Sequence, residues 1–164
     1  MKYCTLLGTL LLFSVSTFGA DWYVNDADTN GDVFTSAIGS VSGTGSSTSP
    51  FLTFSAALAA ASTGDAIYVD AGTYNSTIFQ TINLANLSII GAGVDRTLFD
   101  NESVSSNTNY FGLITANGVS VSNIRFSRYN NASNSLGQKI LGVDGATGIT
   151  ISNVQLDNSS PAGG

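Results

Sequence analysis

Two stretches, "GVSVSNIRFS" (118–127) and "GITISNVQLD" (148–157), align with each other without a gap. Val119 matches Ile149, Val121 matches Ile151, Asn123 matches Asn153, Ile124 matches Val154 and Phe126 matches Leu156. An internal repeat with a period of roughly 20–50 residues points to a stacked, quasi-one-dimensional architecture. The apolar residues fall at odd positions before the Asn and at even positions after it. A single straight strand alternates strictly and forbids that change. One bend at Asn, which tolerates the left-handed conformation, turns the strand and keeps both apolar sets facing one interior. The repeat therefore reads as strand, one-residue corner, strand.

Earlier segments fit the same scheme. "IYV" from Ile67 and "NLSII" from Asn86 read as strands before the corner, and "TLFD" from Thr97 as one after it. "TINLA" (81–85), "YFGLIT" (110–115) and "KILGV" (139–143) would each supply a third strand per coil. Ile67, Leu87, Val119 and Ile149 are then taken as equivalent positions on successive coils. The coils differ in length through loops such as "NESVSSNTN" and "YNNASNSLG". "FLTFSAALAAAS" is the one helical stretch, over Thr53 to Ala61, with Phe54, Ala57, Leu58 and Ala61 on one stripe. The fold expected is all-β: a right-handed parallel β-helix of about three to four coils, with strands at the ~4.8 Å spacing, behind a short N-terminal capping helix.

Residues 1–19 have the layout of a secretory signal peptide: a basic start at Lys2, an apolar run from Leu6 to Val15, and small residues at the end. Cleavage after Gly19 places Thr17 at the −3 position; cleavage after Ala20 would place bulky Phe18 there. The apolar run is shorter than the ~20 residues of a membrane span, so the expectation is a secreted or cell-surface protein. Residues 20–50 then form an N-terminal strand and polar loop, and 51–164 the capping helix and first coils. The one cysteine, Cys4, lies in the leader, and the chain has no histidine. Histidine triads, thiolate sites and disulfides in the mature chain are thereby excluded. Five basic residues stand against eleven acidic ones, which disfavours nucleic acid as a partner.

"SPFLTFSAALAAASTGDAIYVDAGTYN" (49–75) and "NLSIIGAGVDRTLFD" (86–100) resemble the N-terminal cap and first coils of secreted bacterial right-handed parallel β-helix proteins of the pectin-lyase-like superfamily. Pro50, Gly64, Asp65, Gly72, Thr73, Tyr74, Gly91 and Gly93 hold the positions of that pattern. The opening "WYVNDADTNGDVFTSAIGS" also resembles the start of large Bacteroidetes surface proteins. These motifs are architectural rather than catalytic. The open ends of a β-helix must be covered; the helix covers the start, and nothing in "VQLDNSSPAGG" covers the finish. The expectation is a portion of a longer protein.

Lyases of that superfamily imply a Lys or Arg base and a cation that neutralises a uronate. Arg125 should point outward, with Arg128 at the same corner, but its mate in the next coil is Gln155, so no basic column forms. A solvated arginine is the favoured reading. Asp144 and Asp157 are the nearest approach to the carboxylate pair of a glycoside hydrolase, and read as turn residues. Asn123 and Asn153 read as stacked corners.

In "DADTNGD" (26–32), Asp26, Asp28, Asn30 and Asp32 match the first half of a calcium loop. Position 12, which needs a bidentate Glu, is Ala37, and no helices flank the segment. These four residues are the candidate calcium ligands, with a polar turn as the competing reading. The function expected is non-catalytic adhesion or contact with a polysaccharide or cell-surface glycan. The alternative is a lyase or glycoside hydrolase acting on acidic polysaccharide, its active coils outside this chain.

Overall fold

The computed structural model describes residues 19–75, 79–101, 111–127 and 140–157. Residues 1–18, which carry the leader expected from the sequence, lie outside them together with Arg128 and Lys139. The described chain is mostly β, with parallel sheets and one helix. None of its helices is long and apolar enough to cross a membrane.

The described strands form three parallel ladders. The first runs through β1 (Asp21–Val24), β2 (Ala66–Val69), β5 (Ser88–Gly91), the start of β8 (Ser120–Ser127) and the start of β10 (Thr150–Asp157). The second joins β3 (Gly72–Asn75), β6 (Thr97–Asp100) and the ends of β8 and β10. The third joins β4 (Gln80–Ile82), β7 (Gly112–Ile114) and β9 (Leu141–Val143). From β2 onward the chain visits the ladders in the same order each time.

The bend expected within the repeat is present. Asn123 and Asn153 have φ of 60° and 47°, and Asn153 Nδ2 donates to Asn123 Oδ1 at 2.8 Å. On either side of Asn123 the buried residues switch from Val121 to Ile124 and Phe126, so one strand serves two ladders. Register pairs the two copies residue for residue, Val121 with Ile151 and Phe126 with Leu156.

One equivalence needs correction. Ile67 pairs with Ile89, not Leu87, and the ladder continues from Ile89 to Val121 and Ile151. A slip of two keeps the same face inward, and Leu87 is as buried as Ile89, so hydropathy alone does not separate the two registers.

The helix α1 (Phe54–Ala60) is one residue shorter at each end than expected, because Thr53 and Ala61 are its caps. Thr53 Oγ1 accepts the Ala56 amide at 3.2 Å, which satisfies a donor that the first turn leaves open. Its buried residues are Phe54 and Ala57. Phe54 packs on Phe99 and Phe111, with ring centroids 5.7 and 5.5 Å apart. Phe99 stacks on Phe126 at 5.6 Å and contacts Tyr74 at 5.4 Å. This column follows the register Tyr74–Phe99–Phe126 and forms the apolar centre against which the helix closes. In β10, by contrast, Ile151 is 52% and Leu156 60% exposed.

The loop after β1 folds back along that strand. The Phe51 amide donates to Tyr23 O at 2.9 Å, and the Asn25 amide to Phe51 O at 3.0 Å. An edge that would otherwise be open for pairing is thus occupied.

Candidate functional site

The acidic run lies in the loop after β1, and its oxygens are turned toward nearby donors. Asp26 accepts the amides of Asp28 (2.8 Å) and Thr73 (3.3 Å). Asp28 Oδ1 accepts those of Thr29 and Asn30 at 2.7 and 3.1 Å. Asp32 Oδ2 accepts Asn25 Nδ2 at 2.7 Å and Thr35 Oγ1 at 3.4 Å. Calcium takes six to eight converging oxygens. Among the described residues no group of three or more Asp, Glu, His or Cys side chains is arranged to hold a metal ion. Asp26, Asp28 and Asp32 are here members of a hydrogen-bonded polar turn.

Gly72 shows how closely this turn meets β3. Its φ is 150°, and a Cβ there would overlap the Asp26 carboxylate, so a side chain is barred by conformation and by space. Asp32 is the least satisfied member, since its buried Oδ1 has no hydrogen-bond partner. Burial raises its pKa, and the Asp70 and Asp26 charges add to that, against hydrogen bonds from Asn25 and Thr35.

Three residues organise this end: Asp70 and Asn25, which sequence reading left aside, and Asp65, which it placed only in a turn pattern. Asp70, fully buried after β2, accepts five donors: the amides of Val33 (2.7 Å), Phe34 (2.9 Å), Thr35 (2.7 Å) and Ala71 (2.8 Å), and Thr35 Oγ1 (2.9 Å). Asn25, also fully buried, reaches Asp32 and the carbonyls of Asp28 and Ala37. Asp65 ties the turn before β2 to the start of β1. The available signal was a lone acid directly following or preceding an apolar strand, as in "GDAIYVDAG" (64–72).

Concave surfaces among the described residues include two that could take a ligand. A groove of about 700 Å³ lies at the third ladder, lined by Phe79, Gly112, Leu113, Leu141, Gly142, Val143 and Asp144. The groove offers an aromatic ring, aliphatic surface and a carboxylate, and among the described residues no Lys or Arg lines it. A second cleft of about 490 Å³ lies between α1 and β3, with Asp26, Thr73, Tyr74 and Asn75 among its walls. Tyr74 donates to the Asp70 carbonyl at 3.1 Å. Its burial first, then the charges of Asp26, Asp70 and Asp32, push its hydroxyl far above the ordinary pKa, so it stays protonated.

The remaining candidates do not converge. Arg125 is paired in register with Gln155, as expected, and its guanidinium lies 3.8 Å from Asp157. Asp157 closes β10 in the second ladder, whereas exposed Asp144 follows β9 in the third. Asn123 and Asn153 spend their side chains on each other. Comparison with known protein families, with curated proteins and with solved structures returns no match to this chain.

Proposed function

We propose that the chain is the capped N-terminal part of a secreted or surface-displayed right-handed parallel β-helix protein of the pectin-lyase-like type, of the kind found on Bacteroidetes cells. Its role is non-catalytic contact with a polysaccharide or cell-surface glycan. Support for the β-helix comes from the three parallel ladders, visited in constant order and turned at left-handed Asn corners.

The observation that carries the functional reading is the groove on the third ladder. A sugar ring presents an apolar C–H face and a rim of hydroxyls. Phe79 and Leu113 suit the first and Asp144 the second, which is the mixture of apolar walls and few polar groups expected of a ligand groove. Among the described residues no cation lines the groove, and the chain carries a net charge of −6; both favour a neutral glycan over a uronate polymer. The same balance weakens the lyase alternative, which needs a free base and a positive partner for the substrate carboxylate; Arg125 is engaged by Asp157.

Affinity electrophoresis in gels containing xylan, mannan, β-glucan or polygalacturonate tests the reading. Retardation by a neutral polymer, reduced about tenfold in affinity by Phe79→Ala, is expected; tenfold corresponds to about 1.4 kcal/mol. Migration unchanged in every gel refutes glycan contact. Release of unsaturated ends from polygalacturonate would instead establish the lyase.

A further inference from the structure

Asp65, in the turn between α1 and β2, is only 6% exposed. Its Oδ1 accepts the Ala20 amide at 2.7 Å, and its Oδ2 accepts Trp22 Nε1 and the Ser62 amide, both at 2.8 Å. All three donors are neutral while the chain runs on through Gly19. A buried carboxylate is ordinarily matched by a positive charge, yet the one ion pair among the described residues is Arg125 with Asp157. The atom best placed to acquire charge is the Ala20 nitrogen. Its residue is already anchored on its other side, since the Ala66 amide donates to Ala20 O at 2.9 Å. Gly19 presses on the Gly64 carbonyl, where any Cβ would overlap.

We propose that removal of the leader after Gly19 turns this contact into a buried ion pair, with the Ala20 α-ammonium held by Asp65. The step is a hydrolysis by a leader peptidase. Water adds across the Gly19–Ala20 bond, Gly19 departs with a new carboxylate, and Ala20 keeps a protonated amine at the position of its former amide. The inference rests on the secretion reading. Its consequence is structural: processing locks β1 to the turn that joins the capping helix to β2. The charged groups on the packed elements are Asp65 and, within β1, Asp21; α1 carries no acidic or basic residue in its first or last turn. Both acids favour the ammonium form.

The test exports the full chain from a secreting bacterial host, identifies the N-terminus by sequencing and intact mass, and titrates the α-amine by NMR. The expected product begins at Ala20, with the amine pKa at least about one unit above its usual ~7.7–8.0. A raised amine pKa adds stability that is complete below the unfolded value and is lost as pH rises through the folded one. The melting temperature should therefore fall above about pH 8 more steeply than in a chain left with Gly19 as its first residue. In Asp65→Asn the amine should return to the ordinary range. The Gly19-retaining chain keeps the comparison intact should Asp65→Asn not fold. An Ala20 terminus with an ordinary amine pKa overturns the ion pair alone. An unprocessed leader, or a different terminus, overturns the proposal at its first step, and the unprocessed leader removes the secretion reading with it.

Discussion

Asp70→Asn is the substitution that most directly tests how the N-terminal loop is held. Oδ1 of Asp70 serves the Val33 and Ala71 amides, and Oδ2 serves the amides of Phe34 and Thr35 together with the Thr35 hydroxyl. An asparagine can present one oxygen only. With its oxygen in place of Oδ2, its NH₂ faces two N–H groups, of Val33 and Ala71. Turned over, it faces those of Phe34 and Thr35, while the hydroxyl can rotate to accept. Either way two backbone donors lose their acceptor, at about 1–3 kcal/mol each. The surviving bonds also lose their charge assistance. A loss of about 3–5 kcal/mol is expected on these grounds, against a total of about 5–15 kcal/mol for a domain. Equilibrium urea unfolding measures it, and limited proteolysis near Phe34 reports whether the loop has come away. A change below about 1 kcal/mol with the loop still resistant to protease would refute the account of Asp70 as the anchor of residues 33–35.

The same exchange at Asp32 should act in the opposite direction. Asp32→Asn removes a carboxylate whose folded pKa is raised and whose Oδ1 lacks a partner; stability near neutral pH should hold or rise, and a clear fall in the urea midpoint would contradict the raised pKa. For wild type the sign runs the same way, because a raised carboxyl pKa costs stability as pH rises from the unfolded value, ~3.9, through the folded one. Millimolar calcium should leave the melting temperature unchanged, both in wild type and in Asp26→Ala, and a rise specific to wild type would establish the loop as a cation site. Asn123→Ala should lose about 1–2 kcal/mol to the left-handed corner as well as its bond to Asn153. Asn123→Gly should recover the conformational part; equal losses would show that the corner is not strained in alanine.

How far sequence led here depended on how local each determinant is. The corner at Asn123 was legible because its cause is local: one residue reverses the phase of apolar alternation, and the reversal recurs at Asn153. Helix α1 was legible for the same reason, through alanine content and the stripe of Phe54, Ala57, Leu58 and Ala61, although Thr53 proved to be its cap. Register was not, since a slip of two leaves every face unchanged, and Leu87 and Ile89 are both buried. The acidic residues divide along the same line. "DADTNGD" draws attention because its acids are neighbours in sequence, yet Asp26 and Asp28 close turns on amides two residues or fewer away. Asp65 and Asp70 stand singly beside an apolar strand, and their decisive partners come from distant β1 and from the loop after it. Spacing patterns cannot register such partners.

That contrast bears on where function can reside. A carboxylate that satisfies several backbone donors is committed to structure, because freeing it for a ligand would strand each of those donors at about 1–3 kcal/mol. Asp70 is committed in this way, and so is Asp65. Burial pushes the Asp65 pKa up, but the bonds from Trp22, Ser62 and Ala20 together outweigh it and hold the group below its ordinary value. Asp144 differs: it is exposed, it follows β9 in the third ladder, and it lines the groove there. An acid so placed can turn toward a hydroxyl without disturbing the strands beneath it. Binding on this molecule is therefore expected on the sides of the ladders, while its most conspicuous acids belong to the cap. Asp144→Ala should accordingly weaken retardation in neutral-polysaccharide gels while leaving the urea midpoint within the range of an ordinary surface change, about 0.5 kcal/mol. A variant that lost stability and binding together would place Asp144 among the structural acids and remove the groove's one polar contact from the proposal.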